Sequence, residues 1–132
     1  MTTRQLNALV VDDVATNRRL ASMLLKKLGW IVAEAENGPT ALEYLAANGV
    51  DILLLDLNMP GMTGEEVCKQ IRNNEKLKHL RVVAYTAHVL PDEKIKMIEA
   101  CFDGLLVKPI SKATLTEALN EVMAMGDKIL DH

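Results

Sequence analysis

Five short apolar runs, Leu6–Val11, Ile31–Ala35, Ile52–Leu55, Val82–Tyr85 and Leu105–Val107, recur along the chain, and the stretches between them carry apolar residues three and four apart. Runs of this length, rich in leucine and β-branched residues, predict buried strands, and the spacing between them predicts amphipathic helices. Leu20, Leu24 and Leu28 are expected on the buried face of the first helix, and Ala41, Leu42 and Leu45 on that of the second. Val67 and Ile71 do the same for the third, Ile95 and Ile98 for the fourth, and Leu115, Ala118, Leu119 and Val122 for the fifth. Start signals punctuate the pattern: Asn37-Gly38-Pro39, the pair Thr63 and Glu66 with capping-box spacing, Pro91, and Ser111. Five strand-helix repeats joined by right-handed crossovers predict an α/β fold, a doubly wound five-stranded parallel sheet in the order 2-1-3-4-5 with five helices.

Composition narrows the class. With 132 residues, 49% apolar and 25% charged, the chain is expected to form one domain over residues 1–126, followed by a C-terminal tail at 127–132. The formal charge of -3 comes from 15 basic and 18 acidic side chains that are interspersed, which argues against autonomous nucleic-acid binding. Cys68 and Cys101 stand apart from each other and from any histidine cluster, so a core role is expected rather than a disulfide or a zinc site. No apolar run reaches the roughly 18 residues of a membrane span, and Met1-Thr-Thr-Arg-Gln is not a signal peptide; a cytoplasmic protein without membrane insertion is the expectation.

The chemistry follows from where acids fall in the pattern. Asp12 and Asp13 end the first apolar run and Asp56 ends the third. In the order 2-1-3-4-5 those strands are neighbours at the switch point, so three carboxylates distant in sequence meet at one sheet edge. Clustered carboxylates repel one another and favour a divalent cation, and all-oxygen ligation suits Mg2+ better than zinc. Asp12 and Asp13 read as metal ligands, against solvated loop acids. Asp56 reads as a nucleophile toward phosphorus, against a third ligand or a strand-end cap, because Asn58-Met59-Pro60-Gly61 makes an open loop beside it. Thr86 and Lys108 end the fourth and fifth strands and supply a hydroxyl and a positive charge to the same crevice, with Lys108 expected to pair with Asp56 at rest. Pro109 constrains the backbone after that lysine and makes a cis peptide a candidate.

The motifs Val11-Asp12-Asp13, Leu53-Leu54-Leu55-Asp56-Leu57-Asn58-Met59-Pro60-Gly61, Thr86-Ala87 and Lys108-Pro109-Ile110 resemble the receiver domain of two-component response regulators, over about residues 6 to 124. The resemblance implies a flavodoxin-like fold. It also implies that Asp56 takes a phosphoryl group from a phosphohistidine, that Asp12, Asp13, Asp56 and the Asn58 carbonyl hold Mg2+, and that Thr86 and Lys108 read the phosphate. Asn58 and His88 match positions that set how fast the aspartyl phosphate hydrolyses. Leu105 stands where such receivers commonly carry an aromatic switch residue, so an aliphatic rearrangement, or a contribution from Tyr85 and Phe102, is expected in its place. Asn17-Arg18-Arg19 looks like receivers working with hybrid sensor histidine kinases; the first helix, with Leu20, Met23 and nearby Met62, would then help dock a histidine kinase or a histidine phosphotransfer protein.

The expected function is a phospho-acceptor signalling domain, either a stand-alone regulator or the receiver of a larger kinase. No effector sequence follows Met125, so output is expected through a changed surface on the fourth helix, fifth strand and fifth helix toward a downstream protein, or through onward phosphotransfer. Three rivals stand against it. A Mg2+-dependent phosphohydrolase would need a second acid near its nucleophile, where this chain has Leu57-Asn58, and a substrate cap. An interaction module that is not phosphorylated would not need the complete acidic and basic set. A flavodoxin-like cofactor carrier would need phosphate donors where Asp12 and Asp13 stand.

Overall fold

The computed structural model describes residues 5–87 and 90–130. Strands β1 (Asn7–Val11), β2 (Ile31–Ala35), β3 (Ile52–Asp56), β4 (Arg81–Thr86) and β5 (Gly104–Val107) alternate with helices α1 (Ala15–Lys27), α2 (Gly38–Ala47), α3 (Gly64–Arg72), α4 (Asp92–Glu99) and α5 (Lys112–Leu130). All pairings are parallel and the order is β2-β1-β3-β4-β5, as the repeat pattern predicts.

Because successive strand residues point to opposite faces, each strand feeds two cores. Leu9, Val11, Leu53, Leu55, Val82 and Ala84 pack against α2, α3 and α4 through Ala41, Leu45, Val67, Ile71 and Ile98. Ala8, Val10, Ile52, Leu54, Val83, Tyr85 and Leu106 pack against α1 and α5 through Ala21, Leu25, Leu115, Leu119 and Val122. Burial on both faces explains why β3 reads as an unbroken apolar run.

The helix starts follow local chemistry. Asn37 accepts the Thr40 N–H through Oδ1 at 2.8 Å, and Thr63 and Glu66 form a reciprocal capping box. Ser111 Oγ accepts the Thr114 N–H at 3.2 Å while Thr114 Oγ1 accepts the Ser111 N–H at 3.0 Å. Pro91 stands at the N-cap of α4. The first helix departs from expectation: Leu20 is 39% exposed, and the residues buried against the sheet are Ala21, Ser22 and Leu25, with Leu24 and Leu28 half-buried beside them. At the other end of the chain, α5 continues through residues 127–130, which the sequence reading assigns to the tail.

One polar staple closes the end of the sheet opposite the acids. The Arg72 guanidinium, at the C-terminus of α3, donates to the carbonyls of Cys101, Lys78 and Leu80 at 2.8, 3.0 and 2.7 Å and to Asp103 Oδ2 at 3.0 Å. Asp103 Oδ2 also accepts the Val82 N–H at 2.8 Å, so the starts of β4 and β5 are tied to α3. Cys68 Sγ donates to the Cys101 carbonyl at 3.2 Å; burial pushes its thiol far up, and both cysteines are free, in line with a core role.

Ser22 is the exception to polar satisfaction: its Oγ is buried with no hydrogen-bond partner among the described residues. A buried hydroxyl without a partner costs about 1–3 kcal/mol, and alanine is the better helix former. S22A is therefore expected to stabilise the protein by about 1 kcal/mol in urea denaturation at unchanged m-value; a loss of stability would mean that the hydroxyl has a partner.

Candidate functional site

The strand alternation that sorts the core also builds the site. Asp12 continues the Ala8 and Val10 face of β1, Asp56 the Ile52 and Leu54 face of β3, Tyr85 the Val83 face of β4 and Lys108 the Leu106 face of β5. All four side chains therefore emerge on the α1 and α5 side of the sheet at its C-terminal edge. Asp12 and Asp56 are buried, at 0% and 3% exposure, whereas Asp13 is exposed. One carboxylate oxygen from each of Asp12, Asp13 and Asp56 lies within 4.8 Å of the other two.

The two buried carboxylates are treated differently by their surroundings. Asp12 Oδ1 accepts the Val14 N–H at 2.9 Å, and Oδ2 accepts both the Tyr85 hydroxyl at 2.6 Å and the Lys108 ammonium at 3.0 Å. Burial raises the Asp12 pKa, but the Tyr85, Val14 and Lys108 donors together outweigh it and hold the carboxyl below its ordinary value. Asp56 Oδ1 has the Asn58 N–H at 3.1 Å and Lys108 only at 3.5 Å. Burial there dominates, opposed by the Asn58 N–H and Lys108 and reinforced by Asp12, and the carboxyl is pushed up to about 6. Lys108 thus pairs with Asp56 as the strand ends predict, and lies closer still to Asp12.

The remaining sequence candidates fall around this centre. Asn58 Nδ2 donates to Thr86 Oγ1 at 3.0 Å, so the loop after β3 is joined to the end of β4. Thr86 is fully buried. The peptide Lys108-Pro109 is cis. Leu105 points to the opposite face, half-buried against Phe102 and the α3 and α4 core, where Ile95, Ile98, Phe102 and Leu105 line a cavity of about 160 Å³. His88 lies outside the described residues.

Arg18 does not project as a free docking residue. Its guanidinium donates to the Asp12 carbonyl at 2.8 Å and to Glu34 Oε1 at 3.1 Å, clasping α1 to the ends of β1 and β2. Arg19, Leu20 and Met23 do face outward, while Met62 is half-buried against the α2 and α3 core.

Two glycines shape the loop after β3. Gly61 has φ of 81°, which suits the turn after Pro60 and disfavours any side chain. A Cβ on Gly64 would lie 2.5 Å from the Asp56 carbonyl oxygen, so α3 can start directly beneath Asp56 only with glycine there.

The response regulator receiver domain model matches residues 8–120. The chain belongs to the response regulator receiver family. It is 41% identical over 115 residues to the chemotaxis protein CheY of Pseudomonas aeruginosa, covering 86% of this chain and 93% of that protein. Among solved structures, the chemotaxis protein CheY4 of Vibrio cholerae superposes with a TM-score of 0.84 at 32% identity, over 90% of this chain and 99% of that one. The signal receiver domain of a histidine kinase from Syntrophus aciditrophicus shares the fold, with a TM-score of 0.79 at 22% identity over 89% of each chain. As a receiver, the chain is a phospho-acceptor domain of two-component signalling, and its acidic pocket has the all-oxygen donor set that suits a hard divalent cation. No helix among the described residues is long and apolar enough to cross a membrane.

What sequence reasoning underweighted is Tyr85, entered only as a substitute for the missing aromatic switch. The signal was present in the register: Tyr85 pairs with Asp56 across β3 and β4, and parity puts both on the same face.

The raised Asp56 pKa has a measurable sign. In the unfolded chain the group titrates near 3.8 and in the metal-free fold near 6, so the native state binds the extra proton between those values and stability falls as pH rises through that window. D56N removes this cost. The stability of D56N minus that of the wild type, measured by denaturant unfolding without divalent cations, is expected to grow by about 2–3 kcal/mol from pH 4 to pH 7. A difference independent of pH would show that Asp56 is not held in the charged-unfavourable environment seen here.

Proposed function

We propose that Asp56 is the residue phosphorylated in this receiver, that Asp12, Asp13, Asp56 and the Asn58 carbonyl hold Mg2+, and that Lys108 and Thr86 contact the phosphoryl oxygens. The observation that carries this reading is the charge imbalance at the sheet edge. Three carboxylates converge within 4.8 Å, and Lys108, close to two of them, takes up its hydrogen bond on Asp12 rather than Asp56. Among the described residues, Oδ2 of Asp56 has no donor, and the carboxylate has a need for further positive charge. Mg2+ bound there supplies the charge neutralisation that lets a phosphoryl group approach a cluster of carboxylates.

The transfer itself is simple in its atoms. A carboxylate oxygen of Asp56 attacks the phosphorus of a phosphohistidine, the P–N bond breaks with its electron pair going to the imidazole nitrogen, and Asp56 becomes an acyl phosphate. Lys108 moves a short distance from Asp12 to a phosphoryl oxygen, and Thr86 exchanges its Asn58 contact for one to the phosphate. Asn58, in the loop after β3, and His88, two positions beyond Thr86 in sequence, match the positions that set the rate of slow acyl-phosphate hydrolysis in resembling receivers, so turnover of small substrates is incidental. The donor is a histidine kinase or a histidine phosphotransfer protein on the cytoplasmic side. Output runs through α4, β5 and α5, where Leu105 borders the cavity beside Phe102 and Val107 is 46% exposed; a local charge shifts the population of this face toward the form a downstream protein binds.

Intact mass after incubation with a small-molecule phosphodonor tests the assignment. A gain of one phosphoryl group that requires Mg2+ and disappears in D56N is expected. Labelling of D56N at the wild-type level would overturn Asp56 as acceptor. K108A is expected to keep Mg2+ affinity within a few-fold while losing the phosphorylation-dependent amide shifts of α4, β5 and α5.

A further inference from the structure

Tyr85 has no part in the mechanism above, yet it touches two of its groups. It is 1% exposed, its ring packs in the α1 and α5 core, and its hydroxyl donates to Asp12 Oδ2 at 2.6 Å. The Lys108 ammonium lies 4.4 Å from the centroid of the same ring and donates to the same oxygen at 3.0 Å. A cation over an aromatic face is attracted to it, and a short phenol-carboxylate bond fixes the plane of the carboxylate. Tyr85 therefore holds one member of the acidic cluster by its hydroxyl and the lysine by its ring.

The occupancy of Asp12 shows what this arrangement does. A carboxylate oxygen accepts about two hydrogen bonds. Oδ2 has two, from Tyr85 and Lys108, while Oδ1 has the Val14 N–H alone among the described residues. The oxygen with room for a cation is Oδ1, and the Tyr85 hydroxyl, by anchoring Oδ2, presents it. The same anchor keeps Lys108 on the Asp12 side, 3.5 Å from Asp56 rather than on it.

We propose that Tyr85 is a positioning residue of the phospho-acceptor site: through its hydroxyl it orients Asp12 for the divalent cation, and through its ring and that same carboxylate it parks Lys108 away from Asp56 before phosphorylation. The proposal rests on the reading of Asp56, Asp12 and Lys108 given above. Its chemistry is specific to a phenol. Phenylalanine keeps the ring and the packing but loses the anchor, and leucine loses both.

The test compares wild type, Y85F and Y85L, with D12N and the D12N/Y85F double variant. Mg2+ affinity is measured calorimetrically on unphosphorylated protein, and labelling rate by intact mass with a small phosphodonor. Removing a residue that orients a metal ligand typically weakens the metal about tenfold or more. Y85F is expected to weaken Mg2+ by about that factor at a thermal midpoint near that of the wild type, and to slow labelling at sub-saturating Mg2+ more than at saturation. In the D12N background, Y85F is expected to change neither quantity, because Tyr85 acts through Asp12. The Lys108 ε-methylene protons are expected to show an upfield ring-current shift in wild type and Y85F that vanishes in Y85L. Equal Mg2+ affinity and labelling in Y85F and wild type, or an undiminished Y85F effect in D12N, would overturn the proposal. Failure of the wild type itself to label would overturn the reading of Asp56, and the Mg2+ titration of Y85F would still decide the role of Tyr85.

Discussion

Electrostatic imbalance at one edge of the sheet is the constraint on which the rest of the structure depends. Burying Asp12 and Asp56 side by side is unfavourable, and a fold tolerates it only if donors converge from several strands. The β2-β1-β3-β4-β5 order makes this convergence available, because it sets β1 beside β3 and follows them with the strands that deliver Tyr85, Thr86 and Lys108. Asp12 receives a backbone N–H, a phenol and an ammonium and is well compensated. Asp56 receives one backbone N–H and a more distant ammonium. The unequal treatment of two neighbouring carboxylates fits the roles proposed above, Asp12 as a ligand and Asp56 as the acceptor.

Most of the fold was legible because its rules are periodic. Runs of β-branched and leucine residues marked all five strands, and Asn37, Thr63 with Glu66, Pro91 and Ser111 marked helix starts that the structure keeps. The first helix was misread because a leucine stripe at every fourth residue winds slowly around the helix axis, and hydropathy cannot show that small residues let the helix approach the sheet closely. Ala21 and Ser22 take the inner face, and Leu20 is turned outward. At the site, the acids, Thr86 and Lys108 could be placed from strand ends alone. The preference of Lys108 for Asp12 could not, since it depends on a tyrosine ring whose position is set by register and tertiary packing. The contacts of Arg18 were equally out of reach of the sequence: only the fold brings the Asp12 carbonyl and Glu34 beside it.

β4 separates two duties between consecutive residues. Tyr85 turns toward α1 and α5 and joins the charge network, whereas Thr86, linked to Asn58, follows the opposite parity. Leu105 and Phe102 lie in the α3 and α4 core, and Leu105 pairs with Ala84 rather than with either of these two residues. A change at the sheet edge can therefore be felt on both faces without any side chain crossing the sheet. An aliphatic Leu105 beside an open cavity has room to repack where a bulky ring would have to rotate.

The Arg72 staple gives this layout a mechanical asymmetry. Four acceptors from the α3–β4 and α4–β5 segments are gathered on one guanidinium at the base of the sheet, with Asp103 also tied to the Val82 N–H. The opposite ends of β4 and β5 carry the residues that meet the acidic pocket. A strand pair clamped at its foot and loaded at its tip behaves as a cantilever: deflection is greatest at the loaded end and vanishes at the clamp. On this layout a change of charge at the acidic pocket is expected to displace the rim bearing the acids more than the clamped far rim, on the surface a partner would sense.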